Sequence, residues 1–222
     1  MGETQEASDR GGDLDAGIRA GDDAARAAVE AKRAAILGAA LQCFAQYGLK
    51  RTSMEDIAKS AGMSRAALYL HYKNKRDIYR SLAQGYFDGV AAGVAAALAR
   101  GGSIGTALSR AFAAHADETF ELILNSPHGG EMLDVTDSEC GDIIETGEAR
   151  LVALYASWLE GESTAGRVQL AAFGGAPELA ATMLAALHGV KKSSRSYAEL
   201  QAGAARLALI FGQGLTVQGL AL

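Results

Sequence analysis

The chain is poor in residues that break helices or build sheets. Only two of its 222 residues are proline, and aromatic residues make up 6%. Alanine is abundant and β-branched residues are sparse, a composition that favours helix over strand. We therefore expect an all-α protein. Apolar residues make up 49% of the chain, enough for a sizeable core.

Features of several protein classes are also missing. Cys43 and Cys140 are the two cysteines, too few for a disulfide framework and without metal-ligand spacing. No uninterrupted apolar run approaches the ~20 residues of a membrane span, and the first residues lack the basic and apolar stretches of a signal peptide. These absences predict a reduced, cytoplasmic setting and no membrane partner.

Charge is distributed unevenly. The net charge is −5, yet residues 31–80 carry ten basic and three acidic groups, or +7. Residues 1–30 and 81–222 carry −5 and −7 respectively. A local basic block inside an acidic protein is the footprint that phosphate neutralisation requires, although a merely solvated surface would show the same charges.

The pattern along the chain divides it into three parts. Residues 1–24 are acidic and almost without large apolar side chains, which predicts a disordered tail. Residues 25–73 form a predicted DNA-binding domain, and residues 74–222 a helical effector-binding and dimerisation domain. Helical periodicity predicts helices over 25–47, 54–60, 65–71, 74–99, 104–125, 139–160, 177–191 and 197–217.

Residues 54–71 have the spacing of a helix-turn-helix. Two helices that meet at a sharp angle need a small residue at their contact, which Ala58 supplies. The turn needs a residue that tolerates positive φ four positions later, which Gly62 supplies. Ile57, Met63 and Leu68 are the apolar contacts expected to lock the pair.

This stretch resembles the tetracycline-repressor (TetR) family. The resemblance lies in Thr52-Ser53-Met54-Glu55-Asp56-Ile57-Ala58 and in the run from Leu68-Tyr69-Leu70-His71-Tyr72 to Tyr79, and it covers about residues 30–80. It implies an N-terminal three-helix DNA-binding domain followed by a larger helical ligand-binding and dimerisation domain. One departure is Ala66, where the family often has glycine.

The resemblance also implies which residues touch DNA. Arg65 would pair with a guanine edge and Ala66 would pack on a thymine methyl in the major groove. Thr52 and Lys75 would meet phosphates at helix N-termini. Packing is an equally good account of Tyr72, and Leu68 and Leu70 are expected to pack. The full predicted set is Lys50, Arg51, Thr52, Ser53, Ser64, Arg65, Ala66, Tyr69, His71, Tyr72 and Lys75.

The last two predicted helices carry apolar stripes at three- and four-residue steps. They fit a homodimer built on a four-helix bundle, in which Gly203, Gly212 and Gly214 would let the backbones approach closely. The alternative is an intramolecular core with the same residues facing inward. The predicted dimerisation residues are Leu179, Met183, Leu187, Leu200, Leu207 and Phe211.

The middle helices are the expected place of an effector pocket. On the predicted 104–125 helix, His115 and Thr119 are polar groups within an apolar stripe and need partners. A ligand is one possible partner, and a backbone carbonyl or another side chain is the other. Together with aromatic residues on neighbouring helices, the predicted ligand-binding residues are Tyr86, Phe87, Phe112, His115, Thr119, Tyr155 and Trp158.

These observations predict a ligand-responsive transcriptional repressor that leaves a palindromic operator when a small apolar or aromatic effector binds. No nucleophile–base motif indicates an enzyme, and no cofactor is expected. Two alternatives stay open. One is a helix-turn-helix protein that acts through a protein partner. The other is a metal or redox sensor on the same fold. A conceivable metal site would combine His128, Asp134, Asp137 and Cys140.

Overall fold

A computed structural model describes the backbone of residues 6–215 and the side chains of residues 23–133 and 139–215. The all-α prediction is confirmed, because the described residues form ten α-helices and one short 3-10 turn without a β-strand. The helices are α1 (Glu6–Tyr47), α2 (Met54–Ser60), α3 (Arg65–Tyr69), α4 (Lys75–Ala99), α5 (Ile104–Ala113), α6 (Glu118–Leu124), α7 (Gly129–Glu139), α8 (Gly141–Thr164), α9 (Ala176–Ser193) and α10 (Tyr197–Leu215).

The first helix is longer than the sequence pattern predicts. Helical periodicity begins at residue 25, but α1 reaches back to Glu6 through most of the segment expected to be a disordered tail. Residues 23–35 are exposed at every position. Frequent alanine and the lack of proline let the helix continue there on backbone propensity alone. Residues 1–5 of the predicted tail lie outside the described residues.

The predicted 104–125 helix is two helices in the structure. α5 ends at Ala113, and α6 begins after Asp117, whose side chain accepts a hydrogen bond from the Phe120 amide at 2.9 Å. An aspartate in this position ends one helix and caps the next. The apolar period runs on through the break, so periodicity alone could not show it.

α7 is a helix that sequence analysis did not assign. It begins at Gly129-Gly130, a pair of glycines that is typical of a loop. Met132 is the most buried of its described residues. The Tyr79 hydroxyl donates a hydrogen bond to the Met132 carbonyl, so α7 is fastened to α4. The helix also packs against α1, α6 and α8.

The molecule has two main apolar cores. The N-terminal core contains Ile36, Phe44, Ile57, Leu68 and Ile78 and joins α1–α3 to the start of α4. The bundle core joins α4, α5, α8, α9 and α10 around side chains such as Val94, Leu108, Phe112, Tyr155 and Met183. α4 belongs to both, so it links the two parts of the chain.

α4 also matches a membrane-spanning helix by length and composition, with a mean hydropathy of 1.2 over its most apolar stretch. The core helix of a folded bundle meets the same test. Val90, Val94 and Leu98 of α4 are buried in the bundle core, where the helix packs on α5 and α8. We therefore interpret α4 as a core helix.

Candidate nucleic-acid interface and effector cavity

The turn between α2 and α3 has the geometry that the sequence predicts. Ala58 is 1% exposed, and its carbonyl accepts a hydrogen bond from the Met63 amide at 3.0 Å. Gly62 lies between them with φ of +67°. Ile57 and Leu68 are fully buried beneath the pair. The helix-turn-helix is therefore held by a small contact residue, a left-handed glycine and apolar packing.

Both short helices are capped by serine. At α2 the Ser53 amide donates to the Asp56 carboxylate at 2.9 Å, and the Asp56 amide donates to the Ser53 hydroxyl at 3.2 Å. The Ser53 hydroxyl also donates to the Asp56 carboxylate at 2.6 Å, and this bond together with that from the Ser53 amide holds the pKa of Asp56 below its usual value. Ser53 and Asp56 thus form a capping box. Ser64 caps α3 through the Ala67 amide.

The start of α3 presents a cluster of exposed side chains. Arg65 and Ala66 are exposed, and Tyr69 keeps 43% of its surface open. The Arg65 guanidinium lies 5.6 Å from the centroid of the Tyr69 ring, a cation–π contact that orients both side chains outward together. Lys50 and Arg51 are exposed in the loop before α2. Leu70, expected to pack, is instead 85% exposed.

Three predicted DNA contacts have internal roles in the structure. Thr52 is 2% exposed, and its hydroxyl donates to the carbonyls of Gly48 and Cys43 at 2.8 and 3.2 Å. Tyr72 is 7% exposed and belongs to the N-terminal core. The Lys75 ammonium donates to three loop carbonyls, those of Leu49, Lys50 and Thr52. Thr52 and Tyr72 are buried and Lys75 is half-buried, and all three make contacts that hold the domain together. His71 is half-buried.

A cavity of about 460 Å³ lies between α1, α4, α6, α7, α8 and α9. Four predicted ligand-binding residues line it, namely Tyr86, Phe87, His115 and Thr119. Phe112 and Tyr155 do not line it, because both are fully buried in the bundle core. Trp158 packs against the same core and is also not part of the wall.

His115 lies in the turn between α5 and α6, where it joins the cavity wall to the bundle core. Its Nε2 shares a hydrogen bond of 3.2 Å with the Tyr155 hydroxyl, so the imidazole has a partner in the protein. The Tyr86 hydroxyl donates to the His115 carbonyl at 3.1 Å. Burial, followed by the nearby Lys191 charge, lowers the pKa of His115 to about 3, so the ring is neutral.

Lys191 of α9 is the cavity residue that sequence reasoning missed. Its ammonium donates to the Tyr86 hydroxyl and lies 4.3 Å from the centroid of the Phe120 ring. Burial lowers the pKa of Lys191 to about 8, against the opposing effect of Asp117 and Glu148. Its neighbour Tyr86 lies 105 residues away in the chain, so no local pattern marks the contact.

The predicted dimerisation residues are mostly core in the structure. Leu179, Met183, Leu187 and Leu200 are at most 4% exposed in the single chain, so they cannot also form an intermolecular contact. Leu207 and Phe211 are half-buried against the bundle core. The first four side chains therefore pack within the single chain, as the alternative of an intramolecular core describes. The large apolar residues that α10 leaves exposed are Leu209 and Ile210, at 58% and 63%.

The glycines of α10 also act within the chain. A Cβ on Gly203 would lie 2.4 Å from Val190 of α9, and one on Gly212 would lie 2.6 Å from the backbone of Gly105 in α5. These two glycines let α10 approach its own neighbours closely. A Cβ on Gly214 would meet nothing within 4 Å, so that glycine makes no such approach here.

The two cysteines are buried free thiols in the N-terminal core. Burial raises the pKa of both, which keeps them protonated and unreactive. Within the part of the chain that the structure describes, no three His, Cys, Asp or Glu side chains are grouped as a metal site. Asp134 and Asp137 of the imagined site have side chains outside that part.

Comparison with known proteins identifies the N-terminal segment. Residues 36–82 match the model of "Bacterial regulatory proteins, tetR family". This segment of the chain is therefore similar to that family. That segment spans the end of α1 (36–47), α2, α3 and the start of α4 (75–82), and so includes the helix-turn-helix.

Relatives of this tetR-family domain are regulators. The chain is 45% identical to the HTH-type transcriptional regulator AcrR of Shigella flexneri over 47 residues, or 21% of this chain and 22% of that protein. It is 34% identical to the uncharacterized regulator YezE of Bacillus subtilis over 79 residues, or 36% of this chain and 41% of that protein. The chain thus spans less than half the length of these relatives.

Solved structures extend the likeness to the whole fold. A putative TetR-family transcriptional regulator from Mesorhizobium loti aligns with a TM-score of 0.64 at 22% identity, covering 85% of this chain and 98% of its own. SmeT, the repressor of the Stenotrophomonas maltophilia multidrug efflux pump SmeDEF, aligns with a TM-score of 0.61 at 20% identity, covering 86% and 93%. The helical domain after the tetR-family segment therefore shares the fold of these regulators.

Proposed function

We propose that this chain is a ligand-responsive transcriptional repressor, released from a palindromic operator by a small effector. The observation that carries the proposal is the exposed start of α3, where Arg65, Ala66 and Tyr69 project from a rigidly packed helix-turn-helix. Such a helix fits the major groove, and Arg65 has the fork geometry that reads guanine. In this proposal residues 25–73 form the DNA-binding domain and residues 74–222 the effector-binding and dimerisation domain.

The charge of the segment supports DNA over a protein partner. Lys50, Arg51 and Ser64 are exposed in the same segment as the start of α3 and offer groups that can bind phosphates. Residues 31–80 carry +7 in a protein whose net charge is −5. The rest of the molecule is acidic and would be repelled by phosphates. The basic block therefore also determines how the molecule is oriented on DNA. A cytoplasmic location follows from this role.

Two half-sites require two copies of the chain. The exposed Leu209 and Ile210 of α10 form an apolar surface that a second copy can cover. Alanine at 202 and 205 is exposed on the same helix and lets a partner helix approach. We place the homodimer interface on this outward surface of α10, in place of the buried residues that periodicity selected.

Effector binding would act through α4 and α7. α4 contributes Leu82 and Tyr86 to the cavity, and its first residue, Lys75, holds the loop before α2. α7 contributes Met132 to the cavity and is fastened to α4 through Tyr79. A ligand that prefers one arrangement of these helices would shift the spacing of the two recognition helices.

Footprinting on the DNA that flanks the gene tests the proposal. The purified full-length chain is expected to protect two inverted half-sites whose centres lie about 34–36 Å apart, one turn of B-DNA. The same preparation should bind as a dimer. Protection of no site, with or without small-molecule extracts of the source cells, would contradict it and favour the protein-partner alternative.

A further inference from the structure

The ammonium group of Lys191 projects among aromatic rings on the cavity wall. Its Nζ lies 4.8 Å from the centroid of Tyr86 and 4.3 Å from that of Phe120, and it donates a hydrogen bond to the Tyr86 hydroxyl. All three residues line the cavity. A lysine ammonium has three donors, so the group has capacity left for a bound molecule.

No described carboxylate neutralises this charge at ion-pair distance. Within the described side chains, Glu148 pairs with His188 at 3.8 Å, and Asp117 accepts the amide of Phe120 as the cap of α6. Neither lies within 4.0 Å of Lys191 Nζ. Asp117 and Glu148 act on Lys191 only from beyond ion-pair distance. A buried cation without an ion-pair partner is costly, and a ligand anion would reduce that cost.

Most of the remaining wall is apolar, and its other polar or titratable residues are Tyr79, His115, Thr119, Glu148, His188 and Lys192. Leu82, Phe87, Met132, Leu151 and Leu184 face the cavity, whose volume of about 460 Å³ suits a small molecule. These side chains offer no polar partner to the body of a ligand. The wall therefore favours a ligand with an apolar body, and the ammonium of Lys191 favours one acidic group on that ligand.

We propose that the cavity binds an apolar monoanion, an organic acid with an aromatic or branched body, whose acid group pairs with Lys191. The inference rests on the proposed function, because it names the class of effector for that same cavity. It also accounts for the presence of Lys191 in the cavity wall, since a ligand without an acid group would not need it. Tyr86, whose hydroxyl accepts a hydrogen bond from Lys191 and donates one to the His115 carbonyl, positions the ammonium for the acid group.

A matched pair of fluorescent dyes tests the charge preference. 8-Anilinonaphthalene-1-sulfonate is a monoanion, and N-phenyl-1-naphthylamine has the same rings without the acid group. The wild-type chain is expected to bind the sulfonate more tightly, and Lys191→Met to weaken it by about tenfold or more, since bonds to charged groups are the stronger ones. The neutral dye should change less than about threefold.

Control variants separate this from general effects of charge or folding. Lys32→Met removes an exposed lysine on α1 away from the cavity and should leave both dyes unchanged. Lys191→Arg keeps the charge and should retain the preference for the sulfonate. Equal binding of the two dyes by the wild type, binding of neither, or an unchanged sulfonate affinity in folded Lys191→Met would each overturn the proposal.

A pH titration of the wild type provides a test that needs no destabilising variant. Because the pKa of Lys191 is about 8, sulfonate affinity should fall from about pH 7 to about pH 9.5 as the ammonium is lost. Lys191→Arg stays charged, so its affinity should stay flat over this range. The other charged or titratable groups facing Lys191 or lining the cavity are Tyr79, Tyr86, His115, Asp117, Glu148, His188 and Lys192.

A fall that persists in Lys191→Arg would assign the effect to those other groups and overturn the proposal. DNA binding measured on the same samples keeps the two hypotheses apart. A chain that prefers the sulfonate through Lys191 but binds no DNA would refute the proposed function alone. A chain that binds its operator but shows no preference between the dyes would refute the monoanion inference alone.

Discussion

The guanidinium of Arg51 lies 3.4 Å from Nε2 of His128, so the loop before α2 touches the turn before α7. His128 also contacts the Glu131 carboxylate through Nδ1, at 3.2 Å. Gly48, at the end of α1, packs against this pair. The DNA-binding segment and the helix that closes the cavity therefore meet directly, in addition to their connection through α4.

Alanine substitutions at three glycines separate the effect of this contact from the effect of backbone conformation. Gly48 has φ of +81°, and a Cβ there would lie 2.6 Å from Glu131 Oε2, so Gly48→Ala should lower the free energy of unfolding by about 2–3 kcal/mol. Gly62→Ala has the strained φ but open space, and should cost about 1 kcal/mol. Gly38→Ala, inside α1 and unobstructed, should stabilise by about 0.5–1 kcal/mol. Urea denaturation measures all three, and equal effects at the three sites would contradict the packing described.

The neutral state of buried His115 predicts a pH dependence of stability. Its pKa falls from 6.5 to about 3 on folding. Between these values the unfolded chain binds a proton that the folded chain excludes. The folded state therefore has its full stability above pH 6.5 and becomes progressively less stable as the pH falls towards 3. His115→Gln does not titrate. The difference in unfolding free energy between wild type and His115→Gln should therefore narrow by about 1.4 kcal/mol per pH unit below about pH 6, and parallel profiles would count against a buried neutral ring.

Thr52 is expected to affect folding and to leave DNA recognition intact. Its buried hydroxyl satisfies the carbonyls of Gly48 and Cys43, so Thr52→Val should lower the free energy of unfolding by about 1–2 kcal/mol. Operator affinity at low temperature, where the variant is folded, should change less than about threefold. Thr164→Val, at an exposed site on α8, is the matched control. A large loss of operator affinity in folded Thr52→Val would instead support the phosphate contact that the sequence suggested.

The exposed apolar residues of α10 predict where the dimer forms. Leu209→Glu with Ile210→Glu should convert the dimer to a folded monomer, because charges would be buried without partners in the interface. Phe173→Glu places the same charge at a residue that is 41% exposed outside α10 and should leave the dimer intact. Sedimentation velocity distinguishes the two states. A dimer that survives the double substitution would place the interface elsewhere.

The sequence predicts the parts of this structure that depend on neighbouring residues. The helix-turn-helix follows from Ala58, Gly62 and the apolar residues around them, and the α4 cap from Asn74, whose side chain accepts the Asp77 amide. The cavity depends on residues that are distant in sequence, and Lys191 meets Tyr86 across 105 positions. Periodicity identified Met183 and Leu187 as an apolar face but could not distinguish a core from an interface, because both bury the same stripe.

The most direct test of the central claim is the affinity of wild type and Arg65→Ala for operator and random DNA at about 50 mM and about 200 mM salt. We predict that wild type prefers the operator and that salt weakens both complexes. Arg65→Ala should lose about 1–3 kcal/mol of that preference, while Lys32→Ala, on the exposed part of α1, should keep it. Wild-type binding without sequence preference and without salt dependence would contradict the assignment of this chain as a DNA-binding regulator.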